Sequence, residues 1–116
     1  MSAEPVVKRW VSWMAPTEAG LDFWCPGCDE MHSIRTESIY SNWEWNGDEV
    51  RPTISPSIAV SAPANPNASE EFKEYRTASM CHSFVKDGMI QFLGDCTHAM
   101  ANQTVAIPPL STWRYE

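Results

Sequence analysis

The sequence predicts a mainly β domain, and three observations predict it. Short runs of β-branched and aromatic residues are separated by Gly, Pro, Asn and Asp, the pattern of short strands and turns. Two dipeptides, Asn46-Gly47 and Asp87-Gly88, are strong hairpin signals, because their residues tolerate the positive φ of a type I′ turn. Cys25-Pro26-Gly27-Cys28 is a tight turn that directs two sulfurs at one point, half of a tetrahedral zinc site. About seven short strands and one short helix are expected, as a small β-sandwich or as zinc-ribbon-like hairpins.

Composition sets the outer bounds. The 116 residues make one domain, 1–116, with a modest core that gains from a staple. The 43% hydrophobic fraction argues against wholesale disorder. No apolar run approaches the roughly 20 residues of a membrane span, and Met1-Ser2-Ala3-Glu4-Pro5 does not open a signal peptide. A cytoplasmic location is therefore expected. In that reducing setting four cysteines read as metal ligands or redox thiols, not disulfides. Fifteen acids against 8 bases leave a net charge of −7 and no basic stripe, which disfavours direct nucleic-acid binding.

Taken in order, Pro5–Trp13 carries β-formers and predicts the first strand, and Ala15-Pro16 to Ala19-Gly20 a turn. Leu21–Trp24 enters the cysteine turn and Met31–Thr36 leaves it, a hairpin with the knuckle at its tip. Trp43 and Trp45 share one face of a strand ahead of the Asn46-Gly47 turn, where aromatics at period two usually pack as a cross-strand core cluster, with a ligand-stacking platform as the alternative. Arg51–Val60 holds Pro52 and Pro56, which remove ladder donors and suggest an edge strand or extended segment. Residues 61–78 read as an inserted loop with a short helix near 68–77, capped by Asn67 and apolar at Phe72 and Tyr75. Met80–Asp95 forms the second hairpin, Gln103–Ile107 the last strand, and Pro108-Pro109 leads into an aromatic-containing tail.

The ligand set follows from the register of the late hairpin. A two-residue Asp87-Gly88 turn sets Lys86 against Met89 and puts Cys81, Ser83, Ile90, Phe92 and Cys96 on one face. Cys81 and Cys96 then converge where Cys25 and Cys28 meet them, giving one structural Zn²⁺ held by four cysteines. A longer turn reverses parity and offers His82 instead of Cys81. His98, two residues past Cys96, and His32 are further candidates, as ligands or as hydrogen-bonding neighbours of the thiolates.

No His-Glu-x-x-His, phosphate loop or Gly-x-Ser-x-Gly occurs, so no catalytic or cofactor-binding residue is assigned. Two enzyme readings stay open beside the structural one. The first is a small zinc hydrolase with an open metal position at His98 or His82, and with Asp95, His98 or Glu30 as base. The second is thiol-disulfide exchange through Cys25 and Cys28, which lack the helix N-terminus that lowers such a thiol's pKa.

Several strings recur together: Cys25-Pro26-Gly27-Cys28, Trp45-Asn46-Gly47-Asp48, Pro52-Thr53-Ile54-Ser55-Pro56-Ser57-Ile58, Cys81 through Gly88, Ile90 through His98, and Gln103-Thr104-Val105. Across residues 21 to 108 the chain resembles a family of small, functionally uncharacterised proteins of phage and prophage genomes. The resemblance implies a phage-type accessory protein with a zinc-like cysteine set. The expected function is a non-enzymatic, zinc-stabilised β module that binds a protein of host or phage, with exposed aromatics as anchors.

Overall fold

A computed structural model describes residues 4–15, 17–38 and 42–113 of the chain. Its strands are β1 (Val7–Val11), β2 (Ala19–Cys25), β3 (Glu30–Glu37), β4 (Glu44–Trp45), β5 (Ile54–Ala62), β6 (Ser79–Lys86), β7 (Met89–Phe92) and β8 (Thr104–Ala106). They form an antiparallel sheet β1-β2-β3 and a second, β4-β5-β6-β7-β8, so neighbours in sequence are neighbours in space. The inward residues Val7, Leu21, Phe23 and Ile34 of the first sheet meet Ile54, Ile58, Val85, Ile90 and Phe92 of the second in one buried cluster. The result is a mainly β, single-domain sandwich. Among the described residues no helix is long and apolar enough to cross a membrane. Of the turn expected from Ala15-Pro16 to Ala19-Gly20, Pro16 lies outside the described residues, the Glu18 amide donates to the Ala15 carbonyl at 2.8 Å, and Ala19 and Gly20 already belong to β2. The tail beyond Trp113 also lies outside the described residues.

The late hairpin forms in the tight register. Asp87 (φ 52) and Gly88 (φ 79) both occupy the left-handed region, and Lys86 pairs with Met89. Cys81, Ser83 and Val85 consequently face the core, while His82, Phe84 and Lys86 take the opposite side of β6. That parity sorts the reactive side chains of β6 into two groups.

Three elements depart from the sequence expectation. Asn46-Gly47 does not make a two-residue hairpin. Only Gly47 has positive φ there, and the Asn46 side-chain carbonyl accepts from the amides of Asp48 and Thr53. This Asx-type bonding opens a longer loop between β4 and β5. Second, the proline-bearing β5 is interior to its sheet and not an edge. Pro52 precedes it, and Pro56, after a cis peptide bond, sits where the β5–β6 ladder shifts register between Ile54 and Ile58. A bulge absorbs the missing donor. Third, the expected helix is a kinked 3-10 segment, Glu70–Arg76, preceded by Ser69 with no side-chain cap. Phe72 and Tyr75 lie about half exposed, at 50% and 51%, so no core contact regularises the segment.

Candidate functional site

Two constellations lie on opposite sides of β6. On the inner side, the β2–β3 turn brings Cys25 and Cys28 to Cys81 of β6. His98, from the loop after β7, completes a group whose ligand atoms all lie within 4.8 Å of one another. The Sγ atoms of Cys25 and Cys81 are 3.7 Å apart. A Cβ at Gly27 would run into the His98 ring, so only glycine lets the knuckle approach this closely. His98 takes the Met100 amide on Nδ1 at 3.2 Å, while its buried Nε2 has no hydrogen-bond partner among the described residues. The unpartnered nitrogen and the crowded thiols are the signature of a cation site. A hollow of about 390 Å³, lined in part by Cys28, Cys81 and His98, opens onto it.

The thiols show the strain of sharing charge. Hydrogen bonds from the Cys28 and Cys81 thiols, with a smaller contribution from His32, hold Cys25 far below the ordinary thiol range. Cys28 is pushed up to about 12, chiefly by its bond to Cys25. Cys81 is pushed strongly up by its bonds to Cys25 and Cys28. One thiolate thus suppresses ionisation of the other two. A bound divalent cation would remove that penalty and let all three ionise.

Cys96 does not join the group. Its Sγ accepts the His82 amide at 3.3 Å and lies 3.2 Å from the His82 carbonyl, to which it donates. The turn after β7 lays Cys96 on the β6 backbone and carries His98 onward to the cluster. The four donors that the structure brings together are therefore three cysteines and a histidine, in place of four cysteines. His32 is buried against Phe23 and neighbours Cys25 without entering the group.

On the outer side of β6 stands a hydrogen-bonded chain that the sequence did not disclose. His82 Nε2 lies 3.0 Å from Ser57 Oγ, and His82 Nδ1 lies 3.1 Å from Asp95 Oδ2. With Asp95 ionised, Nδ1 carries the proton and donates to it, so Nε2 is free to accept from the Ser57 hydroxyl. Each member is held by its backbone. The Trp43 indole donates to the Ser57 carbonyl at 3.2 Å. Besides the Cys96 contacts, the His82 carbonyl accepts the Leu93 amide at 2.9 Å. Thr97 is stitched to Met80 through its amide and hydroxyl, which fixes the loop bearing Asp95. A serine, a histidine and an aspartate in this order of contacts are recognised by geometry and not by spacing. The available hint was parity: a register that turns Cys81 inward turns His82 outward.

Residues 4–93 match the family model described as bacterial ubiquitination-like system serine protease (BubE). The chain belongs to the BubE family. The match includes Ser57 and His82 and ends just short of Asp95. No curated protein and no solved structure matches the chain. BubE membership sets the chain in a family described as bacterial, and together with the Cys25, Cys28, Cys81 and His98 cluster it fits a metal-stabilised module.

Proposed function

We propose that this chain is a serine protease of a bacterial ubiquitination-like system, with Ser57 as nucleophile, His82 as general base and acid, and Asp95 as the group that orients His82. The observation that carries this reading is the unbroken contact chain Ser57–His82–Asp95, at 3.0 and 3.1 Å. In the first half-reaction Ser57 Oγ attacks the scissile carbonyl while its proton passes to His82 Nε2. The amide C–N bond breaks as His82 returns that proton to the leaving amine, and Ser57 is left acylated. Water, deprotonated by His82, then hydrolyses the ester and restores the hydroxyl. Asp95 keeps its charge throughout and stabilises the transient imidazolium.

The metal in this reading is one structural zinc. A tetrahedral ion with Zn–S near 2.3 Å sets its sulfurs about 3.8 Å apart, and Cys25 and Cys81 stand at 3.7 Å. Four protein donors fill its coordination, which suits a closed site and leaves the chemistry to the serine. Cys25 and Cys28 belong to the three-stranded sheet and its turn, Cys81 and His98 to the five-stranded sheet and its loop, so the ion would clamp the two layers.

Incubation with a fluorophosphonate, followed by peptide mass mapping, tests the proposal. Ser57 should carry the adduct, and His82→Ala should slow its formation by orders of magnitude. Labelling elsewhere, or none, removes the protease reading. What would then remain is a non-enzymatic, cytoplasmic zinc module with a protein partner, which the exposed Trp13 (89%) and Met14 (77%) favour.

A further inference from the structure

The outer face of the five-stranded sheet holds an open hollow of about 540 Å³ that reaches Phe84, one side chain along β6 from His82 on the same face. Ile54 pairs with Val85 and Ile58 with Ser83, so the bulge that carries Ser57 stands across from Phe84. Phe84 shares its face of β6 with His82. Gln91 pairs with both Phe84 and Thr104, and Met89 with Lys86, which brings all of them to that face. Thr53, Phe84, Lys86, Met89, Gln91 and Thr104 line the hollow. Phe84 and Met89 remain 44% and 39% exposed within it. Large apolar side chains held open on the face that carries the His82–Ser57 contact call for an explanation that solubility does not provide.

We infer that this hollow is the specificity pocket of the protease, and that it takes a bulky apolar side chain next to the scissile bond of an extended peptide. The inference rests on the serine-protease reading of Ser57. Alternate side chains on an extended chain are about 7 Å apart, which is also the step from His82 to Phe84 along β6. A peptide whose carbonyl meets Ser57 therefore lays a side chain one or two residues away over Phe84. The volume lies within the roughly 300–1,000 Å³ of ligand pockets, so neighbouring residues of the peptide enter too. Thr53, Gln91 and Thr104 supply polar groups at its walls. Lys86 and Asp87 carry opposite charges among its lining residues, so the hollow has no net charge to recruit an ionised side chain, and its exposed Phe84 and Met89 favour an apolar one.

The test uses the full chain and fluorogenic peptide amides that carry Leu, Phe, Ala or Asp at the two residues before the scissile bond. Leu and Phe peptides should exceed Ala peptides in kcat/KM by about tenfold or more, with Asp peptides lowest. Phe84→Ala should bring Leu and Ala peptides close to parity, and Phe84→Leu should restore the preference. Gln91→Trp fills the hollow without touching the core and should depress the Leu peptide most. Equal kcat/KM for Leu and Ala peptides in the native protein overturns the inference, as does a preference that survives Phe84→Ala. Fluorophosphonate labelling run in parallel separates the two failures. Labelled Ser57 without an apolar preference removes the pocket alone, whereas unlabelled Ser57 removes the protease reading and the pocket with it.

Discussion

Cys81 and His82 are adjacent in sequence and serve opposite regions of the molecule. Cys81 joins a buried corner that draws on both sheets. His82 joins an outer face drawn from β5, β6 and the loop after β7, with its side chain 28% exposed and that of Asp95 54% exposed. The corner is closed: its donors are buried or half-buried, and a divalent cation would relieve the conflict among its thiols. The face is open to solvent, and it carries both the Ser57–His82–Asp95 contacts and the hollow around Phe84. Because a strand alternates, one backbone held in one register positions both. Cys96 links them, since its sulfur holds the His82 backbone.

This division is broken most sharply by substitutions that damage one region and spare the other. His82→Ala should lower kcat by about 10⁴-fold or more, while zinc content by metal analysis stays at one per chain. A parallel loss of zinc would mean that the two regions are not separable. Next in size, Cys81→Ser and His98→Ala should each release the metal and lower the melting temperature steeply, because structural zinc supplies folding free energy outright. Cys96→Ala is the sharper control. It should keep the zinc, destabilise by about 1–3 kcal/mol through the unpaired His82 amide, and reduce kcat with little change in KM. Loss of zinc in Cys96→Ala, with retention in His98→Ala, would return the ligand set to four cysteines.

The smallest expected effect lies in the loop between β4 and β5. Asp48 accepts the amides of Val50 and Arg51 at 2.9 Å, and these bonds hold its carboxyl below the usual carboxylate range. A depressed folded-state pKa stabilises above the unfolded value, near 3.9, and the benefit is lost as pH falls through the folded one. Asp48→Asn should therefore lower the denaturation midpoint slightly at neutral pH and not at all in strong acid, with activity and zinc unchanged.

Local chemistry made much of the fold legible. The Asp87-Gly88 pair set the register of the late hairpin, and the Cys25–Cys28 knuckle announced its turn and its sulfurs. Legibility failed where long-range placement decides. Nothing local distinguishes Cys96 from His98, because the loop path after Phe92 chooses which of them reaches the corner. The Asn46-Gly47 signal was overridden by side-chain capping, and Pro56 was misleading because a bulge removes the ladder bond it cannot make. Ser57, His82 and Asp95 have no spacing signature. They meet only once the bulge in β5 faces the outward side of β6, a product of register and not of motif.

The central claim, that the outer face carries the chemistry and the inner corner carries the structure, is tested most directly by Ser57→Ala. The measurement is amide hydrolysis by native and substituted protein, with zinc content and melting temperature recorded on the same samples. Abolished hydrolysis with one zinc per chain and an unchanged melting temperature is the predicted result. Hydrolysis that persists in Ser57→Ala, and stops only when the metal is removed, would contradict it.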